Sequence, residues 1–179
     1  EGMNVRYVCY PVKTLGPGDR LGIWLSGCAR GCPGCLSPEL QEVLPSDEVR
    51  VEDLLEAIMR RDVPIDGVTI SGGEPFEQPV DLAALLKGLS TLTDDIIVYT
   101  GYKLEELRSD PYASEALQHV GILIDGPYIK ELDDGRGIRG SSNQVVHRLR
   151  EGDAFEYEAA QRRTQSFVIG DTMLMVGLR

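Results

Sequence analysis

Three thiols sit close together in the stretch SGCARGCPGC: Cys28, Cys32 and Cys35, spaced C-x3-C-x2-C. Three thiolates cannot fill the four iron corners of a cubane cluster. A cluster held by them keeps one iron open to a ligand that is not protein. An open metal position is where chemistry takes place, whereas a structural site closes every position. Gly27, Gly31 and Gly34 alternate with the thiols. They let the loop wrap closely and leave backbone N–H groups free to face the sulfurs of a cluster. Structural zinc is the competing reading. It needs a fourth ligand, and His119 and His147 lie far along the chain in no H-x3-5-H pattern. Cys9 could supply the fourth, but it stands alone in a strand-like run and reads as a small buried hydrophobe. The spacing favours a site-differentiated iron–sulfur cluster.

A second constellation is Ser71-Gly72-Gly73-Glu74-Pro75. Its paired glycines allow backbone to approach a ligand closely, and its carboxylate can receive an ammonium. The same residues could equally be a plain strand-terminal turn.

These motifs need elements to hold them. Four short apolar runs read as strands buried on both faces: 21–25, 67–71, 96–100 and 121–125. Between the first two, Val51, Leu54, Leu55, Ile58 and Met59 follow helical spacing. Leu82, Leu85, Leu86 and Leu89 form the next stripe, and LEEL and SEALQHV read as helical before the fourth strand. Strand–helix alternation implies a parallel sheet with right-handed crossovers, in which ligands sit at the carboxyl ends of the strands. SGCARGCPGC, SGGEP, TGY and DGPY fall at those four ends in turn. The stretch 126–150 lacks periodicity and reads largely as loop. SFVIG and TMLMV around Gly170-Asp171 read as a hairpin.

Composition narrows the partners. The chain has 179 residues, 42% hydrophobic and 26% charged, with a net charge of −11. The acidic balance argues against a nucleic-acid partner, and no apolar run approaches the roughly 18 residues of a membrane span. No signal-like segment stands out, so a cytoplasmic location is expected. The runs SDE, DD and DD read as solvated surface. Cysteines clustered this tightly point to metal or redox use rather than a disulfide framework.

The cysteine spacing after the first strand resembles the signature of the radical S-adenosylmethionine enzymes. SGGEP resembles the motif by which that superfamily binds the cofactor's amino group, here Gly72, Gly73 and Glu74. CPGCLSPEL resembles the cysteine loop of its small activating enzymes, with Ser37 where that pattern has Asn. YTGYKLEEL is similar to activases of glycyl radical enzymes. LIDGPYIKEL with RGSSNQVVHRL is similar to those that serve anaerobic ribonucleotide reduction. The resemblance runs from about Tyr10 to Arg150.

That resemblance implies one 4Fe-4S cluster on Cys28, Cys32 and Cys35, its open iron chelated by S-adenosylmethionine. It implies cofactor contacts from Gly34, Cys35, Leu36, Gly72, Gly73, Glu74, Thr100, Asp125 and Asn143. Asp125 could instead brace the loop at its strand end. Arg139, Ser141, Ser142, Asn143 and Gln144 could bind the cofactor, meet the partner or hold their own loop. The expected fold is α/β: a partial (β/α) barrel of radical S-adenosylmethionine type, with a mostly parallel curved sheet and a C-terminal β-hairpin. Residues 1–179 form one domain, with a core of about 10–150 and an extension at 151–179. The expected activity is reductive cleavage of S-adenosylmethionine to set a glycyl radical on the large subunit of an anaerobic ribonucleotide reductase. The implied electron donor is of the flavodoxin kind, with no nucleic acid or membrane involved. A chain this short leaves its cluster face open, which suits a protein substrate better than a small molecule. Two alternatives stay open. One is activation of another glycyl radical enzyme or a different protein or peptide modification. The other is a non-enzymatic electron-transfer or cluster-carrying role.

Overall fold

The computed structural model of the chain describes residues 2–179. In chain order its strands are β1 (Met3–Val12), β2 (Arg20–Leu25), β3 (Glu48–Val49), β4 (Gly67–Gly72), β5 (Ile96–Tyr99), β6 (Ile122–Asp125), β7 (Val145–Arg148), β8 (Gln165–Ile169) and β9 (Thr172–Val176). The α-helices are α1 (Val51–Arg60), α2 (Pro79–Leu89), α3 (Leu104–Ser109) and α4 (Pro111–Leu117). One sheet runs in the order β3-β1-β2-β4-β5-β6-β7, and β8 and β9 form a separate hairpin.

The four apolar runs of the sequence are the middle of that sheet, β2-β4-β5-β6, and they pair in parallel. The strand-like run around Cys9 is β1, but the sequence pattern did not show how the edges pair. β1 pairs antiparallel with β2 and β3, and β7 pairs antiparallel with β6. Four-residue β7 lies where the sequence reads largely as loop, because two of its residues are polar and it has no period to show. Among the described residues, no helix is long and apolar enough to cross a membrane.

Alternation along each strand divides the side chains between two faces. Ile23, Leu25, Val68, Ile70 and Val98 point to the helical side and meet Leu54, Ile58, Leu82, Leu85, Leu86 and Leu89. Each such large side chain contributes on the order of 1.5–3 kcal/mol by leaving water. Of the stripe expected on α1, Met59 departs: it is 47% exposed, because the sheet needs only a narrow apolar seam from that helix. The opposite face carries Trp24, Ile97, Ile122 and Ile124. The C-terminal stretch covers it, through Tyr157, Leu178 and Val176 with Ile138. Cys9 is a buried hydrophobe among Val12, Leu15, Trp24 and Leu40.

The acidic runs are not all solvated. Asp47, in SDE, is 3% exposed. Its carboxylate meets Arg6 Nε at 2.8 Å and Nη2 at 3.0 Å. It also accepts from Ser26 Oγ at 2.6 Å and Leu44 N at 2.9 Å. Asp95 pairs with the fully buried Arg20 at 3.0 Å, and Asp133 pairs with Arg162 at 2.8 Å. Sequence charge runs do not reveal partners that arrive from distant strands.

The donors around Asp47 outweigh the cost of its burial and hold its carboxyl at about 2, below the usual 3.8. A depressed pKa contributes stability that is full above the unfolded value and is lost as pH falls from 3.8 toward about 2. Asp47→Asn is therefore expected to lower unfolding stability at pH 7 by about 2–4 kcal/mol. In urea titrations, its gap from the wild type should narrow steadily between pH 4 and pH 2. A gap independent of pH would show that the pair contributes shape rather than charge.

Candidate functional site

The cysteine loop leaves β2 at Ser26 and returns beside its own start. Gly27 N donates to Leu40 O at 2.8 Å, and Cys28 N donates to Gln41 O at 3.1 Å. Leu40 is 1% exposed and anchors the return. Inside the loop, Cys35 N donates to Cys32 O at 3.1 Å. Gly27, Gly31 and Gly34 take φ values of 98°, 58° and 71°, the left-handed turns that let the loop double back.

All three loop thiols are free and half-buried. They are not drawn together: among the described residues, no three His, Cys, Asp or Glu side chains stand as a group that could hold a metal ion. The donor set still suits an iron–sulfur cluster. It offers three free thiols on one loop with glycines between them. Burial pushes the Cys28 thiol up, the charges of Glu77 and Glu74 add to this, and the Arg30 backbone opposes it.

The turn after β4 is stitched to the base of this loop. Gly73 N donates to Leu25 O at 2.8 Å, and Glu74 N donates to Gly27 O at 2.9 Å. The contact is backbone on backbone. A Cβ on Gly73 would fall 2.4 Å from Gly27 O and 2.8 Å from Leu40 O. Gly73 is thus required for the turn and the cysteine loop to touch.

The Glu74 carboxylate is turned into the protein. It is 1% exposed and taken up by the protein's own donors. Gly101 N reaches it at 2.7 Å, Phe76 N at 2.9 Å, and Thr100 Oγ1 at 2.9 and 3.0 Å. Burial pushes its carboxyl up, against those donors and the Arg30 charge. Thr100 Oγ1 in turn accepts from Tyr102 N at 3.1 Å, so its hydroxyl is occupied too. Asp125, 4% exposed, also works inward. It accepts from Leu104 N at 2.7 Å, and its Oδ2 lies 2.9 Å from His147 Nε2 without hydrogen-bond alignment. Its bond to Leu104 N joins the end of β6 to the start of α3.

Other loop residues close the ring. Ala29 N donates to Glu77 Oε1 at 2.9 Å. The Arg30 guanidinium lies 5.0 Å from the centroid of the Tyr102 ring. Gly34 lies against the Lys130 side chain, and Leu36, 52% exposed, lies beside Gly140. The cysteine loop therefore meets the segments after β4, β5 and β6. Arg30, Glu77 and Lys130 were not singled out from sequence, since nothing in one chain distinguishes them from surface charge.

The stretch 126–144 is knit to itself. Gln144 Oε1 accepts from Gly140 N at 2.7 Å and Ser141 N at 3.1 Å, while its Nε2 donates to Gly126 O at 2.9 Å. Asn143 Nδ2 donates to Pro127 O at 2.8 Å. Asn143 Oδ1 and Arg139 Nε are buried atoms without a hydrogen-bond partner among the described residues.

Residues 14–147 match the family described as "4Fe-4S single cluster domain". Several curated relatives carry the name "Anaerobic ribonucleoside-triphosphate reductase-activating protein". The one from Escherichia coli is 34% identical over 151 residues, covering 79% of this chain and 96% of its own. The one from Vibrio cholerae is 33% identical over 154 residues, covering 78% and 95%. The one from Enterobacteria phage T4 is 30% identical over 142 residues, covering 75% and 88%. The solved structure "Crystal structure of QueE from Escherichia coli" superposes with a TM-score of 0.48 at 21% identity, over 69% of this chain and 71% of that one.

Two substitutions test the seam. Gly73→Ala should stay folded by circular dichroism yet retain several-fold less iron than the wild type after anaerobic reconstitution. Glu74→Gln should lower unfolding stability by about 1–3 kcal/mol, because an amide cannot accept all the donors that meet the carboxylate. Wild-type iron retention in Gly73→Ala would mean that the turn does not shape the cysteine loop.

Proposed function

Because the chain belongs to the 4Fe-4S single cluster domain family and to the anaerobic ribonucleoside-triphosphate reductase-activating proteins, we propose that it is a radical S-adenosylmethionine activase. Its substrate is a glycine on an anaerobic ribonucleoside-triphosphate reductase. The observation that carries the reading is the backbone seam at Gly27, Gly73 and Glu74, which fixes the thiol-bearing loop against the turn after β4.

Cys28, Cys32 and Cys35 would hold the cluster and leave one iron free for the cofactor. When bound, the cluster and S-adenosylmethionine supply a one-electron cleavage of the sulfonium bond that takes hydrogen from a glycine Cα and leaves methionine and 5′-deoxyadenosine.

The chain's own residues bind and orient. With the Glu74 carboxylate committed to Thr100, Gly101 and Phe76, the main chain of Gly72 and Gly73 is what the turn offers a ligand. Thr100 and Asp125 act from behind, one fixing Glu74 and the other holding the first turn of α3. Gly34, Leu36 and Asn143 lie on the segments that face each other across the mouth, and Asn143 Oδ1 is an acceptor with no donor among the described residues. The loop tip, with Arg30, Gly31, Pro33, Gly34 and Leu36, is exposed. A protein loop carrying the glycine can reach it, as can a small reductant of the flavodoxin kind.

The test uses anaerobically reconstituted protein. With reductant and S-adenosylmethionine it should release 5′-deoxyadenosine, and with the reductase it should give a glycyl radical doublet by electron paramagnetic resonance. Each of Cys28→Ala, Cys32→Ala and Cys35→Ala should abolish both signals. Deoxyadenosine with a radical only on another partner would move the target. Iron-loaded wild type that cleaves no S-adenosylmethionine would overturn the activase reading in favour of electron transfer or cluster carriage.

A further inference from the structure

Residues 148–179 lie outside the part of the chain that matches the family, 14–147. They are nevertheless built into the inner side of the sheet. Tyr157 is fully buried beside Ile97, Ile122 and Ile124, and Ile138 N donates to Tyr157 O at 2.8 Å. Arg162 stands in this added stretch, its side chain 5% exposed.

The Arg162 guanidinium points into the segment that leads to Asn143. Nε donates to Gly137 O at 2.9 Å. Nη1 donates to Asp133 Oδ1 and to Arg179 O, both at 2.8 Å. Nη2 donates to Arg139 O at 2.9 Å and Gly140 O at 3.3 Å. The planar fork thus holds successive carbonyls of one loop, a task a point-charge ammonium performs poorly. Asp133 is fixed from its other oxygen by Tyr128 Oη at 3.0 Å. Beyond Gly140 the grip passes through Gln144 to Gly126, and Arg139 Nη1 donates to Gln144 O at 3.3 Å. The same loop carries the unpartnered atoms Asn143 Oδ1 and Arg139 Nε.

We propose that Arg162 is a positioning residue for the 133–144 loop, so that the C-terminal addition sets the geometry of the cofactor site. This rests on the activase reading above. Arg162 touches no reacting atom. It acts by denying the loop alternative conformations, since releasing the guanidinium would leave buried carbonyls without donors.

The experiment uses the full, iron-loaded chain with Arg162→Gln, Arg162→Lys and Asp133→Asn. The readouts are iron per chain, equilibrium binding of S-adenosylmethionine, and hydrogen exchange of peptides spanning 133–144. Arg162→Gln should keep wild-type iron, exchange faster in 133–144 alone, and bind S-adenosylmethionine at least about 10-fold more weakly, the lower end of losses seen when outer-shell partners are removed. Arg162→Lys should fall between the two, because it restores charge toward Asp133 without the fork. Wild-type affinity and exchange in Arg162→Gln would overturn the proposal, as would iron lost in step with affinity. If Arg162→Gln does not fold, Asp133→Asn decides. Faster exchange with weaker binding supports the proposal, and unchanged values overturn it. A wild-type protein with iron but no affinity for S-adenosylmethionine is a separate failure, seen before any variant is made. It sinks the activase reading and, with it, the cofactor role of the loop.

Discussion

A carboxylate taken out of water must have its lone pairs met by donors or give up its charge. Glu74 meets that demand with groups from two places: Phe76 on its own turn, and Thr100 and Gly101 beyond β5. The ends of β4 and β5 are therefore tied together through one buried side chain. The main chain of the same residue, with that of Gly73, ties them to the end of β2. Three loops that parallel strands would otherwise leave independent become one assembly. Asp125 repeats the device one strand further on, between β6 and the start of α3.

This arrangement separates two jobs. Residues behind the site are saturated by protein partners and set positions. Unused groups remain elsewhere: three free thiols on the cysteine loop and, among the described residues, the buried Asn143 Oδ1 and Arg139 Nε on the loop after β6. The exposed tip of the cysteine loop follows from its support at the base. Gly27, Cys28 and Leu40 hold the two ends, and glycine turns carry the tip outward. A loop anchored at its base and bare at its tip suits chemistry performed on another macromolecule, where a closed pocket would be an obstacle.

The inner side of the sheet poses its own problem. Parallel strands present apolar side chains on both faces, and here one face has helices. The chain covers the other with its C-terminal stretch and sets two buried guanidiniums there. Arg20 binds Thr69, Val68 and Asp95, and Arg162 binds the loop after β6. Buried cations are tolerated because their N–H groups find carbonyl, carboxylate or hydroxyl oxygens. The stretch after Arg150 contributes little to sequence recognition, yet it lies against both the core and the loop that faces the cysteines.

The sequence by itself determined the four parallel strands, the main helices, the hairpin and the donor loop. Each of these is written in local pattern: β-branched runs, helical spacing of leucines, turn residues between strand halves, and thiols within a few residues of one another. Only the tertiary structure decided what the polar side chains do. Glu74 reads in sequence as an acceptor for an ammonium or as part of a plain turn, and the fold buries its carboxylate against donors from beyond β5. Asp47 and Asp95 read as surface and are ion-pair partners. Arg162 carries no local signal at all. The physical reason is the same in each case: the state of a polar group depends on its burial and on donors brought from remote parts of the chain, and no period or spacing records those.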